Sequence, residues 1–239
     1  MAIRLSKRLT ALANMVTDGN RLADIGTDHG YIPIYLCQTG KIPSALAMDI
    51  GKGPLQQAQT HIAEHGLSEQ IKTRLSDGMA ALQSGEADTI LIAGMGGGLV
   101  MKILSEGAEK LTGREELILQ PQSELAKVRR YLEEHRFRIV AEDMVEEDGK
   151  YYPMMKVIPT EQKGLYAEGV PAAEEELEYG KYLLEKGHPV MGEYLKKELS
   201  VNQGVYEKLR VQESERTKER SAEILHMIKR AEDLLDRYF

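Results

Sequence analysis

Between Asn20 and Ile158 short apolar runs alternate with amphipathic segments, and that rhythm demands a βαβ series on a mostly parallel sheet. Seven strands are expected, near Arg21–Ile25, Ser44–Met48, Ile71–Leu75, Thr89–Ala93, Glu116–Leu119, Phe137–Met144 and Tyr151–Val157. Helices fill the gaps at about Ile32–Gln38, Gly53–Glu64, Gly98–Ser105 and Glu124–Glu134, and another, Ser6–Met15, precedes the first strand. Glu146–Gly149 is too short a connection for a helix, so the last two strands pair antiparallel. The fold class is therefore α/β.

Beyond Thr160 the strand signal fades. Thr160–Pro171, with Gly164 and Gly169, reads as a linker, which divides the chain into domains at 1–160 and 161–239. Glu174–Lys186 is expected as one helix stopped by Gly187, and Pro189 suits the first turn of the next. From there Val190, Tyr194, Leu195, Leu199, Val205, Leu209, Ile224, Leu225, Ile228 and Leu235 recur at helical spacing, the pattern of an antiparallel α-helical coiled coil. Gln212–Ala222 is nearly all polar, so the seam weakens there at a break or hairpin.

Bulk properties exclude several functions. The longest apolar runs are too short to cross a bilayer and no signal segment precedes them, so a cytoplasmic protein that avoids membranes is expected. A lone cysteine, Cys37, fits a reducing compartment. None of His61, His65, His135, His188 and His226 has metal-ligand spacing, so no metal is expected. A net charge of −7 excludes a globally basic nucleic-acid binder and leaves only local basic patches. Two such patches stand out, Arg4, Lys7 and Arg8 at the start, and Lys127, Arg129 and Arg130 with Arg136 and Arg138 beyond. Basic residues of the tail, among them Lys196, Lys197, Lys208 and Arg216, are interleaved with glutamates.

The chemistry is concentrated at the strand ends. The first strand runs into a loop with Asp24, Gly26, Asp28, His29 and Gly30, followed by a helix from Tyr31. Glycines let a backbone approach a nucleotide, yet the three-glycine dinucleotide pattern is incomplete, and the acids would repel a pyrophosphate. A cationic ligand free of phosphate fits better. S-adenosylmethionine, with its sulfonium and ammonium groups, is such a ligand. Asp49 ends the second strand, where an acid can bond both ribose hydroxyls, and Asp77-Gly78 follows the third, where it can meet an adenine. The fourth opens into Gly94-Met95-Gly96-Gly97-Gly98, which lacks the Lys and Ser/Thr of a P-loop. The residues alone leave open a methyltransferase for another base or small molecule, and a non-catalytic RNA-binding adaptor.

Together, Ala23–Tyr31, Ala47–Asp49, Ser76–Gly78, Ile92–Gly97, Leu119–Pro121 and Gly149–Tyr152 resemble the bacterial tRNA (adenine-22, N1)-methyltransferase family. That resemblance covers about residues 1–160 by motif and the tail by architecture alone. It implies a Rossmann-like class I methyltransferase with a seven-stranded, mostly parallel sheet and a C-terminal coiled-coil domain, which methylates N1 of an adenine in the D-loop region of tRNA. Its cofactor is S-adenosylmethionine and its partner tRNA, with the chain a monomer or weak homodimer. Carried over position by position, the cofactor residues are Asp24, Gly26, Thr27, Asp28, Gly30, Asp49, Ile50, Asp77, Gly78, Met79, Ala93, Gly94, Met95 and Gly96. Those at the methyl transfer are Asp28, His29, Gly94 and Tyr152. RNA contacts would come from Arg4, Lys7, Arg8, Tyr31, Lys127, Arg129 and Arg130.

Overall fold

In the computed structural model, residues 3–167, 169–211 and 215–239 are described, without the side chains of 215–217. Seven strands form one sheet: β1 Leu22–Ile25, β2 Ala45–Asp49, β3 Ile71–Leu75, β4 Thr89–Met95, β5 Glu116–Pro121, β6 Phe137–Glu147 and β7 Lys150–Pro159. Their order is β3-β2-β1-β4-β5-β7-β6, parallel through β5, with β7 antiparallel to both neighbours. Asp148 and Gly149, at φ 53° and 74°, join β6 to β7, the left-handed pair a two-residue hairpin requires.

The helices of this part are α1 Lys7–Met15, α2 Tyr31–Gln38, α3 Lys52–Glu64, α4 Gly97–Glu106 and α5 Leu125–Glu134. Strand residues alternate between the faces. Leu91 and Ile118 join Leu12, Ile34, Leu36 and Ile62 in the core beneath α1–α3. Ile90, Ile92, Leu117 and Leu119, also fully buried, point the other way, toward the face that carries α4 and α5.

Two expectations for the tail need correction. Residues 160–171 are not a free linker, because Leu165 and Tyr166 are buried and the Leu165 carbonyl accepts from Ile139 N at 2.7 Å. The compact units are Met1–Glu178 and Tyr179–Phe239, so the boundary lies beyond the expected 160/161. Nor is Glu174–Lys186 one helix. Gly180, at φ 92°, separates α6 Glu174–Tyr179 from α7 Lys181–Glu185. The second unit continues as α8 Pro189–Leu209 and α9 Glu215–Tyr238, with Pro189 in the first turn as expected. Gly187 and Gly192 near the start of α8 approach Tyr238 and Phe239, so the two helices run antiparallel. Buried Leu195 of α8 and Ile224, Ile228 and Leu234 of α9 supply the apolar residues of this pair. Residues 212–214 of the polar stretch, and the Arg216 side chain, lie outside the described residues.

Candidate active site

The carboxyl ends of β1, β2 and β4 surround a cleft of about 280 Å³. Its floor begins at Gly26, whose φ of 75° turns the chain out of β1. The Gly26 and Thr27 amides both donate to the Met48 carbonyl at 2.8 Å, which ties the loop to β2. A Cβ at Gly26 would run into the Met95 methyl, so glycine is what lets the ends of β1 and β4 close together. Gly30, at φ 70°, then caps α2.

Three carboxylates face this space. Asp24 is buried and accepts from Thr27 Oγ1 at 2.7 Å. Burial pushes its carboxyl up to about 6; the Thr27 hydrogen bond opposes that, while Asp49 and Asp28 add to the rise. Asp49, at the end of β2, accepts from Gly51 N at 2.6 Å. Asp28 is exposed and lies 3.2 Å from His29 Nε2. Beside it the rings of His29, Tyr31 and His61 stack with centroids 5.3–5.7 Å apart. His61 Nδ1 donates to the His29 carbonyl at 3.1 Å, and this bond ties α3 to the loop.

At the opposite wall a bulge between Ala93 and Met95 takes Gly94, at φ 77°, out of register with β5. The Gly94 amide donates to Gln120 Oε1 at 3.2 Å. Further on, the Gly97 and Gly98 amides at the start of α4 donate to Ser123 Oγ (3.2 Å) and Glu124 Oε2 (3.1 Å). The chain's own side chains thus satisfy donors that a phosphate-binding loop would present to its ligand.

Of the residues expected around the cofactor, Asp24, Gly26, Asp28, Asp49, Ala93, Gly94 and Met95 line the cleft, together with Tyr31 and Arg8. Thr27 is buried, Gly30 faces Ala58 and Ile62 of α3, and Gly96 lies against Ser123. Ile50 (68% exposed), Asp77 and Gly78 lie outside the cleft, beside the ends of β2 and β3, where Ser76 N bonds the Asp49 carbonyl at 2.9 Å. Met79 is buried against Gly107, so its side chain packs the core instead of a ligand. Tyr152 lies under the Arg8 guanidinium, 5.5 Å from ring centroid to Cζ, and is absent from the cleft wall. Leu9, Ile32 and Gln122 line the cleft without having been expected. The apolar spacing of α1 and α2 marks Leu9 and Ile32 only as helix residues, and the strand-end motif Leu119–Pro121 stops one residue short of Gln122.

The basic candidates separate. Arg4, Lys7, Lys127 and Arg130 are exposed, the last three paired with Glu146 (3.8 Å), Glu124 (2.7 Å) and Glu174 (2.8 Å). Arg129 is corrected outright. Its side chain is 1% exposed and pairs with fully buried Glu142 at 2.8 Å, and Nη1 donates to the carbonyls of Leu177 and Glu178, so no RNA phosphate can reach it.

Strand order, a reversed β7 and an acid-lined cleft at the carboxyl ends define a Rossmann-like fold of the class I methyltransferase type. A family model described as tRNA (adenine(22)-N(1))-methyltransferase matches residues 22–233. The tRNA (adenine(22)-N(1))-methyltransferase of Bacillus subtilis (strain 168) is 34% identical over 98% of both chains. The crystal structure of the B. subtilis M1A22 tRNA methyltransferase superposes with a TM-score of 0.82 at 32% identity, covering 97% of this chain and 99% of that one. The M. capricolum enzyme in complex with S-adenosyl-homocysteine gives 0.81 at 28% identity, over 98% and 99%. The chain belongs to the tRNA (adenine(22)-N(1))-methyltransferase family.

Proposed function

We infer that this protein transfers a methyl group from S-adenosylmethionine to N1 of adenine 22 in tRNA. The observation that carries this is the family match across residues 22–233 together with a cleft whose acids suit a cationic cofactor. When bound, S-adenosylmethionine supplies an electrophilic methyl group. The Gly26–Gly30 backbone makes room for it, Asp24 and Asp28 attract its cationic groups, and Asp49 meets the ribose hydroxyls. Ile50, Asp77 and Gly78 border the adenine, with Met79 contributing only through its main chain, while Ala93 to Gly96 face the methionine end.

Adenine N1 has a lone pair and no proton, so the protein must place the base and need not deprotonate it. Methylation leaves the base cationic, and Asp28 and the Gly94 carbonyl neutralise that charge as it develops. The base has to leave its stack to enter, and Tyr31, backed by His29 and His61, offers it a ring to stack on. Asp28→Ala is expected to weaken cofactor binding and, at saturating cofactor, to lower kcat at least about tenfold. An unimpaired kcat removes Asp28 from the reaction.

The exposed Arg4, Lys7, Lys127 and Arg130 contact tRNA phosphates, and so do the exposed lysines of α8, whose pairing with α9 is a short coiled coil. Replacing Lys196, Lys197 and Lys208 together with Gln is expected to raise KM for tRNA several-fold and flatten its salt dependence. An unchanged KM removes the helical pair from RNA binding. Among the described residues no helix is long and apolar enough to cross a membrane, and the enzyme works in the cytoplasm as a monomer or weak homodimer. Incubation of unmodified tRNA with labelled S-adenosylmethionine, followed by nucleoside mass spectrometry, tests the whole assignment. 1-Methyladenosine at position 22 is the expected product, and its absence overturns the function.

A further inference from the structure

We propose that Arg8 holds the α-carboxylate of S-adenosylmethionine and that buried Gln120 is the positioning residue that aims it. This deepens the cofactor assignment above and rests on it. Arg8 is the only Lys or Arg among the described residues that line the cleft, where it accompanies Asp24, Asp28 and Asp49. The methionine end of the cofactor carries an ammonium group and a sulfonium close to a carboxylate. Three acids match the cations, but they repel the carboxylate unless a cation faces it. A single guanidinium in the same cleft completes the match.

The guanidinium is held by uncharged groups. Its Nη1 donates to Gln120 Oε1 at 3.2 Å, its Cζ lies 5.5 Å from the Tyr152 ring centroid, and Nη1 is 3.6 Å from where a Gly94 Cβ would stand. Neutral partners fix its direction without cancelling its charge, and the bond to Gln120 uses one of its five donors. Gln120 itself is fully buried. Its Oε1 accepts from both Arg8 and the Gly94 amide, at 3.2 Å each, and its Nε2 donates to the Pro121 carbonyl at 3.3 Å. With both ends of the amide engaged, its orientation is set, and one oxygen locks the guanidinium to the bulged strand end beside the methyl-transfer position. A tRNA phosphate in this cleft would face the same three acids with no cation of its own to offset them. The carboxylate arrives on a ligand that brings cations for those acids.

Titration calorimetry on the full chain with S-adenosylmethionine and its decarboxylated analogue tests this, using wild type, Arg8→Ala, Arg8→Lys and Gln120→Ala. Wild type is expected to prefer the carboxylated ligand at least about tenfold, the strength of a charge-assisted hydrogen bond. Arg8→Ala is expected to abolish that preference while leaving affinity for the analogue unchanged, and Arg8→Lys to restore part of it. Gln120→Ala is expected to shrink the preference several-fold, a readout that general loosening of the fold would not move selectively. Equal weakening of both ligands by Arg8→Ala overturns the proposal. So does unchanged affinity for S-adenosylmethionine with a raised KM for tRNA, which would place Arg8 on a phosphate. If wild type binds neither ligand, the cofactor assignment fails and the proposal with it, a result distinct from a loss confined to the variants.

Discussion

Arg129→Met is expected to destabilise the protein by about 3–5 kcal/mol, because it strips the partner from a buried carboxylate. Glu142 is fully buried, and Arg129 Nε and Nη2 both donate to its Oε1, at 3.1 and 2.8 Å. The same guanidinium also satisfies the carbonyls of Leu177 and Glu178, at 2.9 and 3.1 Å. Met fills the volume but supplies no donor, so the buried charge loses its cation and two carbonyls lose a donor, with the Tyr166 hydroxyl still 3.4 Å from Glu142 Oε2. For a chain of this size the melting temperature should fall by about 10 °C or more. Arg129→Met with Glu142→Leu should recover much of that loss, since removing both charges together avoids the stranded one. A single variant that melts within a degree or two of wild type would show that the pair contributes nothing.

Asp24→Asn should act in the opposite direction on stability and abolish tight cofactor binding. The carboxyl of Asp24 sits at about 6 in the folded protein, above the ordinary value of 3.8. A raised folded value means that the folded state binds the proton more tightly. Stability is therefore greatest below about pH 4 as far as this group is concerned, and it is lost as pH rises through about 6. Two units correspond to about 3 kcal/mol held against the ligand-free fold at pH 7. Asn keeps the shape and an oxygen for the Thr27 hydroxyl, so the ligand-free variant is expected to melt several degrees higher at pH 7.5 and to converge with wild type only below about pH 4. Affinity for S-adenosylmethionine should fall at least about tenfold in the variant, and in wild type it should decline as pH drops through about 6. A less stable Asp24→Asn protein at pH 7.5 would show that the buried charge is not the cost inferred.

Every strand was recoverable from the sequence to within a few residues; β1, β2, β4 and β5 read as short apolar runs because they are buried parallel strands. The acids and glycine that line the cleft at the ends of β1 and β2 were equally visible in Asp24, Gly26, Asp28 and Asp49. The inward turn of Arg129 was hidden. It lies on a helix among Lys127 and Arg130, and nothing local distinguishes a solvated charge from one aimed at the core. Its partner was hidden by the bulge between Ile139 and Ala141, which switches β6 from burying Phe137 and Ile139 to burying Glu142 and Met144. Unbroken alternation would turn Glu142 outward. The placement of α1 over Gly94 was equally illegible, since Arg8 and Gln120 are far apart in sequence and only the folded sheet brings them together.

The hairpin of β6 and β7 also bears on how the chain reaches this state. Its ends meet across two residues, whereas β1–β2, β2–β3 and β4–β5 each close through a helical crossover. Closing a short loop costs little entropy, and hairpins form in about 1–10 μs, long before crossovers of this length. The last two strands to leave the ribosome are then among the first to pair. The parallel sheet has to wait for non-local contacts, so its assembly, and with it the cofactor cleft, sets the pace of folding.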